Sequence, residues 1–362
     1  MPDFSLGEKL RVTLFGQSHG PAVGCVIDGY PAGERIDWDE VRAFMARRAP
    51  GRNNWSTPRR EADEPELLSG LDDQGLTCGA PIAALIRNQN TRSGDYAALR
   101  NTPRPGHADF AADCKYGGDW DARGGGQFSA RLTAPLCFAG ALCKQELERM
   151  GVRISAHIAR IGTVRDALPD TLRPALPLYA PGAFPVIDQD RGEAMKKEIE
   201  DARQRGDSVD GEVRCLAAGV RPGLGGPYFG GLEGRISQAL FGIPAVKGVA
   251  FGDTQPLGSL NNDAFCLDDA CPAGVATATN HCGGILGGIS IGMPIYFTVR
   301  FKPTPSIALP QRTVNMKTME ETTLQIQGRH DPCVVPRAVP VVEAVVACVV
   351  LDMMLDEVRP WS

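Results

Sequence analysis

Histidine is scarce in this chain, and its placement suggests proton chemistry. Of five histidines, four stand beside glycine in loop-like sequence: His19 in Gly16-Gln17-Ser18-His19-Gly20, His107 in Arg104-Pro105-Gly106-His107-Ala108-Asp109, His281 in Asn280-His281-Cys282-Gly283-Gly284, and His330 in Gly328-Arg329-His330-Asp331-Pro332. Imidazole changes charge near neutral pH, and glycine lets backbone approach a ligand closely. Together they suit proton transfer at a bound substrate. Zinc is the rival use of histidine, but neither H-E-x-x-H nor H-x₃-H spacing occurs, so no metal is expected. A Ser-His-Asp hydrolase built from Ser18, His107 and Asp331 is a weaker reading, because Ser18 directly precedes His19.

Arginine gives the second signal. Arg42, Arg47, Arg48, Arg52, Arg59 and Arg60 fall within nineteen residues. Arg42, Arg59 and Arg60 read as solvated charges. Arg48 and Arg52 straddle Ala-Pro-Gly, a stiff turn able to aim guanidinium forks at carboxylate or phosphate. Arg104, Arg131 and Arg329 add capacity for anions from other motifs. Glycine loops add a third signal: Gly124-Gly125-Gly126-Gln127-Phe128-Ser129 precedes an expected helix, where backbone amides can cradle an anion. Lys302-Pro303-Thr304-Pro305-Ser306 offers a cation, a stiff backbone and two hydroxyls, a clamp for a cofactor phosphate. Neither G-x-G-x-x-G nor G-x-x-x-x-G-K-[ST] is present, so a Rossmann or P-loop nucleotide site is not expected.

The elements that must position these loops are partly legible. Asp37-Trp38-Asp39-Glu40 resembles a capping box opening a helix that presents Val41, Phe44 and Met45. Further helices are expected over Thr133–Met150, Gly192–Arg205 and Pro340–Glu357, the last apolar on nearly all sides and therefore buried. Ile295, Phe297, Val299 and Phe301 alternate with more polar neighbours, as a strand does. Residues 11–15, 23–28, 82–87 and 213–219 are further strand candidates. Leu168–Gln189, rich in Pro and Ala, reads as an exposed excursion that does not divide the chain. The class is therefore α/β or α+β.

Bulk properties narrow the function. With 362 residues, 43% apolar and 22% charged, the chain has the composition of a soluble enzyme. A net charge of −5 provides no global field for nucleic acid or an anionic membrane. The eleven cysteines include no C-x-x-C pair and read as reduced thiols, which places the protein in the cytoplasm. Met1–Lys9 lacks the pattern of a signal peptide, and Val341–Leu355, interrupted by Glu343 and Asp352, is too short to span a bilayer.

Taken in order, these runs resemble the chorismate synthase family: residues 15–20, 48–61, 104–109, 124–131, 207–211, 247–252, 280–290, 302–307 and 328–340 all match its motifs. The resemblance implies an α+β fold, a single-domain β-α-β sandwich over residues 1–362 with helices packed between antiparallel sheets, assembled as a homotetramer. It implies reduced FMN (FMNH2), supplied by an external flavin reductant, and anti-1,4-elimination of phosphate from 5-enolpyruvylshikimate 3-phosphate. By resemblance, His19 protonates the leaving phosphate and His107 stabilises the reduced flavin. Ser18 and Asp331 relay a proton so that the flavin takes up the C6 hydrogen. Arg48, Arg52, Arg104 and Arg131 hold substrate anions, and Arg329 lies between substrate and flavin. Gln127, Phe128, Ser129, Ala245, Gly287 and Lys302, Pro303, Thr304, Pro305 and Ser306 match flavin-contacting segments. Gln17, Asn54, Gln127, Phe128, Asp210 and Gly226 depart from the family's common residues. Alternatives are a bifunctional form that reduces its own flavin with NADPH, and a phosphate-binding regulatory module.

Overall fold

The computed structural model describes residues 4–51, 55, 63–89, 100–269, 271, 273–326 and 331–356. Arg52, Asn54, Arg329 and His330 therefore lie outside the described residues. In chain order the strands are β1 Ser5–Leu6, β2 Arg11–Gly16, β3 Ala22–Asp28, β4 Glu66–Ser69, β5 Ile82–Arg87, β6 Arg153–Ile161, β7 Val164–Arg165, β8 Gly211–Ala218, β9 Val246–Phe251, β10 Phe265–Leu267, β11 Val275–Thr277, β12 Ile285–Leu286, β13 Ile289–Ser290, β14 Ile295–Phe301, β15 Gln311–Asn315 and β16 Glu320–Leu324. The helices are α1 Trp38–Arg48, α2 Asp109–Tyr116, α3 Thr133–Arg149, α4 Gln189–Gln204, α5 Leu232–Leu240, α6 Gly258–Asn261 and α7 Val335–Asp356.

Two five-stranded antiparallel sheets enclose the helical layer, in the orders β1-β2-β3-β5-β4 and β7-β6-β8-β14-β9. Helix α3 packs on the first sheet, α7 on β6 and β8 of the second, and the two helices on each other. This is the α+β sandwich expected from the sequence, with helices between antiparallel sheets.

Helix α7 is buried around most of its girth and begins five residues before the expected Pro340, which stays inside the helix and forgoes one main-chain bond. By length and composition it could cross a membrane, yet 89% of its most apolar stretch is buried within the protein. It is a core helix. Of its two deeply buried acids, Glu343 and Asp352, Glu343 ties the layers together. The carboxylate accepts from both terminal nitrogens of Arg47 on α1 at 2.9 and 2.7 Å, from Lys144 on α3 at 2.9 Å and from Ala156 N on β6 at 3.0 Å. Burial alone raises this carboxyl, but Arg47 and Lys144 outweigh it and hold it at about 2.

Other elements follow local chemistry with informative differences. Asp37 caps α1 by accepting from Asp39 N and Glu40 N at 2.9 and 3.1 Å. The reciprocal arm expected of Glu40 comes from elsewhere: Asp37 N donates to Gln145 Oε1 at 3.0 Å. A tertiary partner on α3 has replaced the local one. Helix α4 starts at Gln189 rather than Gly192, because Asp188 is its cap, accepting from Asp190 N and Arg191 N. Strand β6 was not expected. Its run alternates Ile154, Ala156 and Ile158 with Arg153, Ser155 and His157, and the polar Ser155 and His157 are buried as well. The 168–189 segment is irregular and largely exposed, as expected, but Phe184 and Val186 are buried and Pro185 O accepts from Ile158 N on β6 at 2.8 Å.

The cysteines are free, and burial raises several, Cys137 to about 12. Not all lie in the core: Cys78, Cys114 and Cys266 are exposed, each on a short loop, helix end or hairpin that sequence hydropathy does not distinguish.

Candidate active site

The site begins with three consecutive glycines. Gly124, Gly125 and Gly126 all have positive φ (60°, 84° and 53°), which side-chain-bearing residues rarely adopt. Space forbids a side chain there as well. A Cβ at Gly124 would fall 2.1 Å from His19 Cε1 and Nδ1 and 2.8 Å from Ser18 Oγ. A Cβ at Gly125 would fall 3.2 Å from His107 Cε1 and 3.3 Å from its Nε2. Consecutive Cα atoms are about 3.8 Å apart, so one turn packs against both imidazoles. Two histidines separated by 88 positions in the chain (107 − 19) meet at neighbouring residues.

Each partner loop is held by its own bonds. The turn between β2 and β3 is pinned where Ser18 N donates to Gly126 O at 3.2 Å, and where Asn88 Nδ2 donates to Gln17 O and Gly20 O. The Gly-x-Ser-x-Gly spacing within it joins two antiparallel strands, not the strand and helix of a hydrolase elbow. Asp331 bonds Arg337 at 2.5 Å, and the acid facing His107 is Asp109, so the geometry disfavours the hydrolase triad.

A cavity of 1110 Å³ opens beside these loops. Its wall includes Ser18, His107 and Asp331, the arginines Arg48, Arg104 and Arg131, and Gln127, Phe128 and Ser129. The lining also includes Ala245, Lys247, Lys302, Thr304, Pro305 and Ser306. His19 does not reach this wall; it lies one backbone thickness behind, against Gly124. Pro303 is exposed outside the lining, and Gly287 sits at the exposed tip of the β12–β13 hairpin, away from the cavity. Arg52 and Arg329 lie outside the described residues.

Two buried aspartates, given no role by the motifs, organise the cations. Asp63 bridges Arg48, at 2.5 Å, and Arg131. Burial raises its carboxyl, and the two guanidinium groups more than reverse this. Arg48 also donates to Thr133 Oγ1 and Ala130 O, and Arg131 to Asn88 Oδ1. Asp109 binds Arg104 Nε at 2.7 Å and Nη2 at 2.8 Å, and His107 Nδ1 at 2.6 Å. Burial raises the Asp109 carboxyl, but its bonds to Arg104 and His107 hold it well below the carboxylate range. Asp109 could be suspected from its place two residues after His107. Asp63 left no signal beyond an acid near arginines.

The wall around Lys302 is cationic, with Lys247 also in the lining. Lys302 Nζ donates to Gly106 O, joining the two motifs. Its ammonium is lowered from its ordinary value by burial and by the neighbouring Lys247. Thr304 Oγ1 is buried without a hydrogen-bond partner among the described residues. A buried hydroxyl beside two ammonium groups suits an anionic oxygen. Phe128 forms an aromatic wall with Trp120, edge-on at 5.8 Å, and Tyr116 at 6.5 Å. Among the described residues, no group of three or more His, Cys, Asp and Glu side chains could hold a metal ion.

Fold and site together define an enzyme that performs acid–base chemistry on a small polyanion. A family model described as chorismate synthase matches residues 10–355. The chorismate synthase of Thermococcus gammatolerans is 47% identical, the alignment covering 98% of each chain, and that of Lancefieldella parvula is 43% identical over 97% of this chain and 96% of the relative. A solved structure titled "Crystal Structure of Chorismate Synthase" aligns with a TM-score of 0.72 at 27% identity, covering 97% of this chain and 93% of that one. The chain belongs to the chorismate synthase family. Its activity is that of this family, a lyase of aromatic biosynthesis.

Proposed function

We propose that the cavity binds 5-enolpyruvylshikimate 3-phosphate together with reduced FMN and carries out anti-1,4-elimination of phosphate to give chorismate. The observation that carries this reading is the glycine turn packed against both His19 and His107, with His107 on the wall of a cation-lined cavity. The fit to FMN rests on the size of the cavity, the aromatic wall at Phe128, and the Lys302, Lys247 and Thr304 corner, which suits a phosphate. When bound, reduced flavin supplies an electron-rich ring beside the substrate.

This chain's residues do the rest. Arg48, Arg104 and Arg131 hold the substrate's anionic groups, already oriented by Asp63 and Asp109. His19 holds the proton destined for the leaving phosphate oxygen, since a protonated or cation-paired phosphate departs more easily. His107 presents Nε2 toward Gly125 and the cavity. Ser18 and Asp331, both on the wall, hold the groups of a proton relay.

We read residues 1–362 as one domain, working in the cytoplasm as a homotetramer with FMN reduced by an external reductant. Single-domain organisation is supported by one continuous core spanning both sheets. Assembly is supported by the exposure of Tyr228, Phe229 and Leu267, at 91%, 98% and 88%. An anaerobic product assay with flavin redox state as the only variable tests the central reading. Chorismate should form only with reduced FMN, and equal formation with oxidised FMN would refute it. Rapid flavin bleaching by NADPH in the dark would establish the bifunctional form instead.

A further inference from the structure

We propose that Asp109 is a positioning residue that fixes the tautomer of His107 and locks Arg104 to it as one unit. The inference rests on the proposed function for its kinetic arm only. Asp109 is the first residue of α2 and is 6% exposed. Its Oδ2 accepts from Arg104 N at 3.0 Å and Arg104 Nε at 2.7 Å. Its Oδ1 accepts from Arg104 Nη2 at 2.8 Å and His107 Nδ1 at 2.6 Å. Four donors therefore converge on one carboxylate.

An ionised carboxylate only accepts, so the 2.6 Å contact requires the proton on His107 Nδ1. Neutral His107 then turns an unprotonated Nε2 toward Gly125 and the cavity, where it can accept a proton and return it. Arg104 Nη2 also approaches Nδ1 at 3.0 Å, so the ring has one anion and one cation beside it. Replacing Asp109 with a neutral amide leaves the cation alone, which disfavours the imidazolium and frees the tautomer. The other charged groups lining the cavity, among the described residues, are Lys115 on α2, Lys247 on β9, Lys302 after β14, Arg337 on α7, and Arg48, Arg131 and Asp331. Most are cationic. Asp109 is the anion that touches the ring.

Partners that orient a functional histidine affect activity through it, by about 10- to 100-fold in metal sites built this way. Asp109→Asn should lower kcat about as much, with KM changing less. Asp109→Glu, which keeps the charge, should recover part of the loss. The deciding readout is ¹⁵N NMR of the histidine rings in flavin-free enzyme across pH. Wild type should show neutral His107 protonated on Nδ1. Asp109→Asn should move protonation toward Nε2. A wild-type ring protonated on Nε2 overturns the proposal, as does an unchanged tautomer in Asp109→Asn. If Asp109→Asn fails to fold, the wild-type tautomer and the Asp109→Glu spectrum decide alone. If wild type formed no chorismate, the proposed function would fail while the NMR result still judged Asp109.

Discussion

Two clusters in this molecule place an acid between cations at nearly the same depth, and they serve opposite ends. At Glu343 the partners Arg47 and Lys144 turn their charges onto the carboxylate and border a cleft of 110 Å³. At Asp109 and Asp63 the partners Arg104, His107, Arg48 and Arg131 also line a 1110 Å³ cavity. Burial and pairing are shared, so neither identifies a functional site. What separates them is the space they border: a 110 Å³ cleft at Arg47 and Lys144, against a 1110 Å³ cavity with room for a substrate at the two aspartates.

The sharpest way to break this comparison is to remove the two histidines packed on the glycine turn. His19→Ala and His107→Ala should each lower turnover by roughly 10- to 10⁴-fold, as positioned acid–base groups do. Their melting temperatures should stay near wild type. Wild-type rates in both would sink the assigned roles. Glu343→Ala should do the reverse. Stranding Arg47 and Lys144 in the core costs about 3–5 kcal/mol of stability, while the folded fraction keeps its turnover. Urea melts read against specific activity separate the two patterns.

Acid extends the contrast. The Glu343 carboxyl sits at about 2, below its ordinary 4.5, so the unfolded chain binds more protons between those values. The stability it contributes is complete above pH 4.5 and is lost as pH falls toward 2. His157 acts over an earlier window. Burial, and next the Arg214 charge, lower it from 6.5 to about 4, so the neutral folded ring loses ground as pH falls from 6.5 to 4. Stability should therefore fall with acid in two stages, and Glu343→Gln should flatten only the lower one. A single transition unaffected by that substitution would contradict the assignment.

How much of this was readable beforehand follows from how local each signal is. The Gly124–Gly126 run, the His19 and His107 loops and the β14 alternation are written in adjacent residues, and each was found. The expected capping box shows the limit: Asp37 was correct, but its partner Gln145 lies 108 positions away (145 − 37). Asp63 and Asp109 gain meaning only from the arginines that converge on them in space. Strand β6 was missed although Ile154, Ala156 and Ile158 alternate with Arg153, Ser155 and His157, a short period-2 signal in residues of modest apolarity. Gly287 matched a flavin-contacting motif, yet the fold holds it on an exposed hairpin beyond the cavity.

The glycine turn itself offers a smaller test of the cluster at the cavity. Gly124→Ala adds a Cβ 2.1 Å from the His19 ring at a φ of +60°, whereas Gly182→Ala adds one at φ +83° with nothing within 4 Å. Both carry the cost of a positive φ, about 1–2 kcal/mol. Only Gly124→Ala should also depress turnover, by about tenfold or more, because it alone displaces His19. Equal activity in the two would mean that the contact with His19 is passive packing.

The mildest effect belongs to Thr304, and it should have opposite signs in two measurements. Its hydroxyl is buried without a hydrogen-bond partner among the described residues, which is a cost in the flavin-free protein. Thr304→Val replaces that hydroxyl with a methyl of similar shape, so the flavin-free enzyme should melt at the same temperature or slightly higher. If the hydroxyl serves a phosphate oxygen beside Lys302 and Lys247, the same change removes a hydrogen bond to a charged group, worth about 1.5–3 kcal/mol. FMN affinity should then fall by roughly tenfold or more, while riboflavin, which lacks the phosphate, should bind both forms alike. A lower melting temperature with unchanged FMN affinity would assign the hydroxyl to the protein interior and remove it from the site.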